Sequence, residues 1–201
     1  MKNRQQNGNN VSFGILIGII LLTILTVSLK VFEDKPLAAS QDRQASQKAF
    51  VEACNVFFHP RCINCHPAGD APMISDTSLP HRFNVKRGPD GKGTAGMSCT
   101  LCHRDKNQPD GPPGVPNWHM PTESMPMIFQ GKTPAELCRQ LKDPKQNGGK
   151  TGHQIIEHLD ADPLVLWGWN PGKGRTSPPM DHKIFTSKMR EWITLGAHCP
   201  E

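Results

Sequence analysis

Little in this 201-residue sequence is suited to a β-sheet. Leu164-Val165-Leu166-Trp167 is the only short apolar run with strand character, which argues against sandwiches, barrels and α/β architectures. Apart from one short doubled motif, whose surroundings do not match, no internal repeat is evident. Patterned structure is scarcest in the middle of the chain. Between Pro60 and Gly131, eleven prolines and eight glycines interrupt any helix or strand. Such a stretch buries too little apolar surface to hold itself together. The charge surplus is also small: +5 overall, and +3 once residues 1–39 are set aside (19 Lys/Arg against 16 Asp/Glu).

Against this background two runs stand out, Cys62-Ile-Asn-Cys65-His66 and Cys99-Thr-Leu-Cys102-His103. Each is a C-x-x-C-H sequence, the attachment signature of c-type haem. Two thiols separated by two residues can add to the two vinyl groups of one porphyrin. The histidine that follows then lies beneath the ring as an axial iron ligand. A four-cysteine zinc ribbon uses the same pairs, but it leaves both adjacent histidines unexplained. The motifs therefore predict two covalently bound haem c groups, which supply the apolar surface that the Pro/Gly-rich stretch lacks. Four ionised propionates would bring the exported charge to about −1, so the basic balance gives no support to nucleic-acid binding.

Residues 11–29 carry no charge and are rich in Ile and Leu. As a helix they span about 28 Å, close to the thickness of a bilayer core. Lys2 and Arg4 precede them, which favours a cytoplasmic N-terminus. The expected organisation is a cytoplasmic tail over 1–10, a single-pass transmembrane signal anchor over 11–29, a tether over 30–44 and a periplasmic dihaem domain over 45–201. Cleavage after Leu37-Ala38-Ala39 is the alternative. Both versions export the domain, and thioether formation also requires export, to the periplasmic side of a bacterial inner membrane.

Helical spacing marks Phe50, Val51, Cys54, Phe57 and Phe58 within residues 44–58. Thr133-Pro134-Ala135-Glu136 is a capping box with proline at the first helical position, opening a helix to about Asp143. Thr151–Asp160 and Asp181–Leu195 complete the set, and the expected class is all-α, with a few short helices, long loops and one transmembrane helix. Three cysteines lie outside the haem motifs. Cys138 and Cys199 sit in or beside convincing helices and are paired, closing a loop that contributes about 4 kcal/mol. Cys54 remains an alternative partner for either.

His66 and His103 are the expected proximal ligands. Candidates for the opposite iron face are His158, expected to face inward on the stripe Ile155-His158-Leu159, and His81, tethered between the motifs. His119, Met125 and Met97 are alternates. Met125 precedes proline, which stiffens its loop, although a gap-filling role explains it equally well. His59 is expected to pack against a haem edge or solvent, and Trp118, Trp167, Trp169 and Trp192 on the porphyrins or in the core. The basic run His81–Arg87, continuing to Lys92, is expected to be a solvated loop or a steering surface for an acidic redox partner.

The sequence resembles membrane-anchored dihaem c-type cytochromes, more narrowly the cytochrome subunits of isoquinoline 1-oxidoreductase-type molybdenum hydroxylases. The similar stretches are His59-Pro60-Arg61-Cys62, Asn64-Cys65-His66-Pro67, Arg87-Gly88-Pro89-Asp90-Gly91, Leu164 to Gly172 and Gly196-Ala197-His198-Cys199-Pro200. The resemblance implies an electron carrier, not an enzyme, that accepts electrons from a periplasmic dehydrogenase and passes them to a respiratory acceptor. Cysteines matching Cys138 and Cys199 are also implied; Cys54 has no counterpart. A small dihaem peroxidase with one open iron, or a gas-sensing or assembly subunit, are the rival expectations.

Overall fold

A computed structural model describes residues 37–201. Residues 43–201 form one compact unit. Helix α1 covers the described residues 37–57 and so reaches into the expected tether, where Ala and Gln favour helix. Its inward face carries Ser46, Ala49, Phe50, Ala53, Cys54 and Phe57, all buried, whereas Val51 faces solvent. Four further helices follow: α2 Pro60–Ile63, α3 Pro134–Lys142, α4 Gly152–Ala161 and α5 Pro163–Trp167. Helix α6 is His182–Thr194. The expected capping box at Thr133/Glu136 is formed, and Thr151/Gln154 builds a second at α4.

One aromatic core joins the two ends of the unit. Phe50 lies 4.8 Å from Trp192, and Phe57 contacts both Phe185 (5.1 Å) and Phe129 (5.4 Å) between ring centroids. Ser46 Oγ donates to Trp192 O and accepts from His198 N, which pins α1 to the C-terminal segment. Cys138 of α3 and Cys199 are disulfide-bonded, as expected. Cys54 is a buried free thiol, and burial pushes its pKa up to about 12.

The expected class requires correction. Two antiparallel two-stranded sheets are present, β1 Met73–Ile74 with β2 Leu79–Pro80 and β3 Gly93–Thr94 with β4 Met97–Ser98. Strands of two residues are too short for any alternation to register in sequence. Turn chemistry forms them instead: Gly96 takes φ +76° in the β3–β4 turn. Leu164–Trp167, the one strand-like run, is helical in α5. There Pro163 occupies the first turn and Asp162 Oδ1 accepts from Leu164 N at 2.8 Å, a start signal that outweighs one β-branched valine. Among the described residues no helix is long and apolar enough to cross a membrane. The span expected over 11–29 lies outside the described residues.

The Pro/Gly-rich stretch is tied down by buried arginine. Arg87 is 1% exposed and donates to the carbonyls of Gly69, Pro121 and Pro126. The basic run is therefore not uniformly a solvated loop: Arg82 and Lys86 are exposed, while Arg87 is an internal clamp. Gly91 permits a second tie, since Met120 N donates to Gly91 O at 2.8 Å and a Cβ at Gly91 would meet Met120 O at 2.0 Å.

Candidate functional site

Each C-x-x-C-H run forms a single helical turn. In the first, Cys65 N and His66 N both bond to Cys62 O; in the second, Cys102 N and His103 N both bond to Cys99 O. This curls each thiol pair and its histidine onto one side of the backbone. His59 Nδ1 accepts from Arg61 N and caps α2, which is its observed role.

Two cavities adjoin these turns. The first, ≈ 410 Å³, is lined by Cys62, Cys65 and His66 on one side and by His158 of α4. The second, ≈ 520 Å³, is lined by Cys99, Cys102 and His103, and also by His81. Both volumes lie in the usual range for cofactor sites, about 300–1,000 Å³. Arg61, Cys65, Trp118, Met120 and Trp167 line both cavities, so one layer of side chains separates them. Trp118 and Trp167 meet edge to face in that wall at 5.0 Å.

The four histidines are oriented alike. His66 Nδ1 bonds to Met127 O, His103 Nδ1 to Pro113 O and His81 Nδ1 to Arg82 O, each at 2.7 Å. His158 is exposed and not turned inward as its stripe suggested, because it sits at the edge of the apolar face of α4; its Nδ1 lies 3.2 Å from Asp162 Oδ2. Fixing Nδ1 in this way leaves Nε2 as the nitrogen available to a metal. His66 stacks on Phe129 at 3.9 Å and His103 on Trp118 at 4.3 Å. Burial lowers the His66 pKa to about 4 despite the opposing Met127 carbonyl, and burial also lowers that of His103. Both rings are thus neutral near pH 7, with a lone pair available for ligation. Burial likewise raises the Cys62 thiol to about 12 and Cys65 to about 11.

Among the described residues no three His, Cys, Asp or Glu side chains gather into a cage for a bare metal ion. The expected iron-binding and metal-binding character is corrected on this point: the described residues build no multi-ligand centre of their own, and the second cavity brings together one pair of imidazoles, His81 and His103. A haem fits such a donor set, since its ring supplies four nitrogens and the protein need add only the axial ones. The lining supports the same fit. Arg61, Arg82, Lys173 and Arg175 line the second cavity without any carboxylate, as suits a group bearing two propionates.

The expected alternates lie close by as well: His119 and Met125 line the first cavity and Met97 the second. His119 Nδ1 is held by Asn117 O at 2.6 Å. Sequence reasoning missed Asp162, although its i, i+4 spacing from His158 was visible, and the stacking role of Phe129, for which no local signal exists. It also missed Arg61, buried beside Trp167 and joined to Asp76 Oδ1 at 2.6 Å.

No protein-family model, curated protein or solved structure matches this chain.

Proposed function

We propose that this protein is a dihaem c-type cytochrome that carries single electrons between redox proteins outside the cytoplasm. The donor fits a dehydrogenase and the acceptor a respiratory component. The reading is carried above all by His81 and His103, whose ring centroids are 6.2 Å apart across the second cavity. Two imidazoles that bind one metal from opposite sides, through bonds of roughly 2 Å, have centroids about 6 Å apart. The Cys138–Cys199 disulfide supports an oxidising compartment.

Bound haem would supply a reversible one-electron change at iron. The remaining work belongs to the chain. Cys62 and Cys65 would hold one haem and Cys99 and Cys102 the other. His66 with His158, and His103 with His81, would bind the two irons and keep exogenous ligands out. Carbonyls and Asp162 hold the imidazoles still, so little reorganisation accompanies a change of charge. The shared wall of Trp118, Trp167 and Cys65 keeps the two groups one side chain apart.

The test is a mass and absorption measurement on protein expressed with a cytochrome c maturation system. Two covalent porphyrin adducts and two low-spin ferric signals that ignore carbon monoxide are expected. Zinc in place of iron, or an adduct-free mass, sinks the proposal.

A further inference from the structure

The two cavities differ in one charged contact and in the charge of their linings. Three of the four histidines have Nδ1 bonded to a neutral backbone carbonyl. Only His158 has a carboxylate partner, Asp162, at 3.2 Å. A carboxylate on Nδ1 makes the imidazole a stronger electron donor at Nε2, which favours the more oxidised state of whatever metal it binds. Asp162 is held firmly in that role. Its Oδ1 caps α5 through Leu164 N at 2.8 Å while Oδ2 takes His158, so the helix start and the histidine contact fix each other.

The linings add to the same bias, against which buried Arg87 places a cation near His66 and buried Arg61 one near Cys62 and Cys65. Apart from Arg61, which both cavities share, the charged side chains at the first are Lys150 and Asp162, of opposite sign. At the second they are Arg82, Lys173 and Arg175, all cationic. Arg175 is fixed in place by Pro171 O and Gly111 O, each at 3.2 Å. Arg82 and Lys173 are exposed and partly screened by solvent, so Arg175 carries most of the effect. Reduction adds a negative charge, which cations stabilise and a carboxylate opposes.

We infer that the two haem sites are electrically unequal, the Cys62–His66 site of low potential through Asp162 and the Cys99–His103 site of high potential through its cationic lining. The inference rests on the dihaem reading. With haem bound, a single electron placed on the protein would settle at the Cys99–His103 site: the iron held by His66 would be oxidised from ferrous to ferric as that held by His103 is reduced from ferric to ferrous, with no proton transferred. Asp162 acts here as a positioning residue through His158. Trp118 and Trp167 lie on the short route between the two sites. A donor therefore delivers to the first cavity, and the acceptor takes from the second.

The experiment is an anaerobic dithionite titration of the haem-loaded protein, followed by absorption and EPR. Two resolved one-electron steps are expected. Asp162→Asn keeps the cap but removes the charge, and it raises the lower step alone by about tenfold in the one-electron equilibrium, equivalent to about 59 mV. Arg175→Gln lowers the upper step alone, and Lys173→Gln, at an exposed position, does so more weakly. Superimposed steps, or an Asp162→Asn shift in the upper step, overturn the inference while leaving the dihaem reading intact. A mass with fewer than two porphyrin adducts overturns both.

Discussion

His81 and His103 line the second cavity with their ring planes inclined at 56° and each Nδ1 tied to a carbonyl, Arg82 O and Pro113 O. Their 6.2 Å centroid separation is that of two imidazoles able to share one metal between them. On the dihaem reading, His81→Ala opens one axial position. The expected result is conversion of one of two low-spin signals to high spin, with carbon monoxide binding at half stoichiometry. His158→Ala does the same to the other signal, and His119→Ala leaves both unchanged. A His119→Ala spectrum that loses low-spin character instead would reassign the ligand of the first cavity.

Arg87 is the internal clamp of the Pro/Gly-rich stretch. Replacing it with methionine keeps much of its bulk but strands the carbonyls of Gly69, Pro121 and Pro126. Leaving several buried acceptors unmet costs about 3 kcal/mol. Urea unfolding monitored by tryptophan fluorescence should show a matching fall in midpoint. Lys86→Met, one residue earlier on an exposed side chain, should change nothing measurable.

The disulfide joins residues 61 apart in sequence. Cys199→Ser releases that loop and is expected to lower stability by about 4 kcal/mol on the chain-entropy account. Thermal unfolding measures the loss. Cys54→Ala should leave the bridge intact, and mass mapping of the oxidised protein checks this.

Asp76 governs part of the acid limb of stability. Burial works to raise its pKa, but hydrogen bonds from Thr176 and the charge of Arg61 outweigh it, so the carboxyl lies below its ordinary value. A depressed carboxylate stabilises the fold above the unfolded value of about 4, and that contribution is lost as pH falls through the folded value. Asp76→Asn should therefore flatten the acid side of the stability profile. Denaturant midpoints at a series of pH values would reveal it, with little change in slope above neutrality.

Legibility in the sequence tracked the range of the interaction. Helices α3, α4 and α6 were readable because caps and apolar stripes are contained within a turn or two. Thr133, Pro134 and Glu136 state the start of α3 by themselves. The sheets were not readable, because two-residue strands depend on left-handed turn residues such as Gly96 and on a partner strand, not on a pattern of their own. Leu164–Trp167 misled because its apolar content suits either state, and the decision lay with Asp162 and Pro163 just outside the run.

By itself the sequence determined the two C-x-x-C-H turns, since thiol spacing and the following histidine are fixed by covalent chain geometry. On the dihaem reading it also bounded the pool of opposing ligands, seven histidines beyond the two in the motifs and seven methionines beyond Met1. Tertiary structure alone decided which of these reach the cavities, bringing His158 and His119 to the first and His81 to the second across long loops. It alone turned Arg87 inward, whereas the Asp162 carboxylate behind His158 is a local i, i+4 contact. The reason is physical. Local chemistry acts over a few bonds, whereas orientation, burial and electrostatic asymmetry arise only where segments distant in sequence share one low-dielectric space.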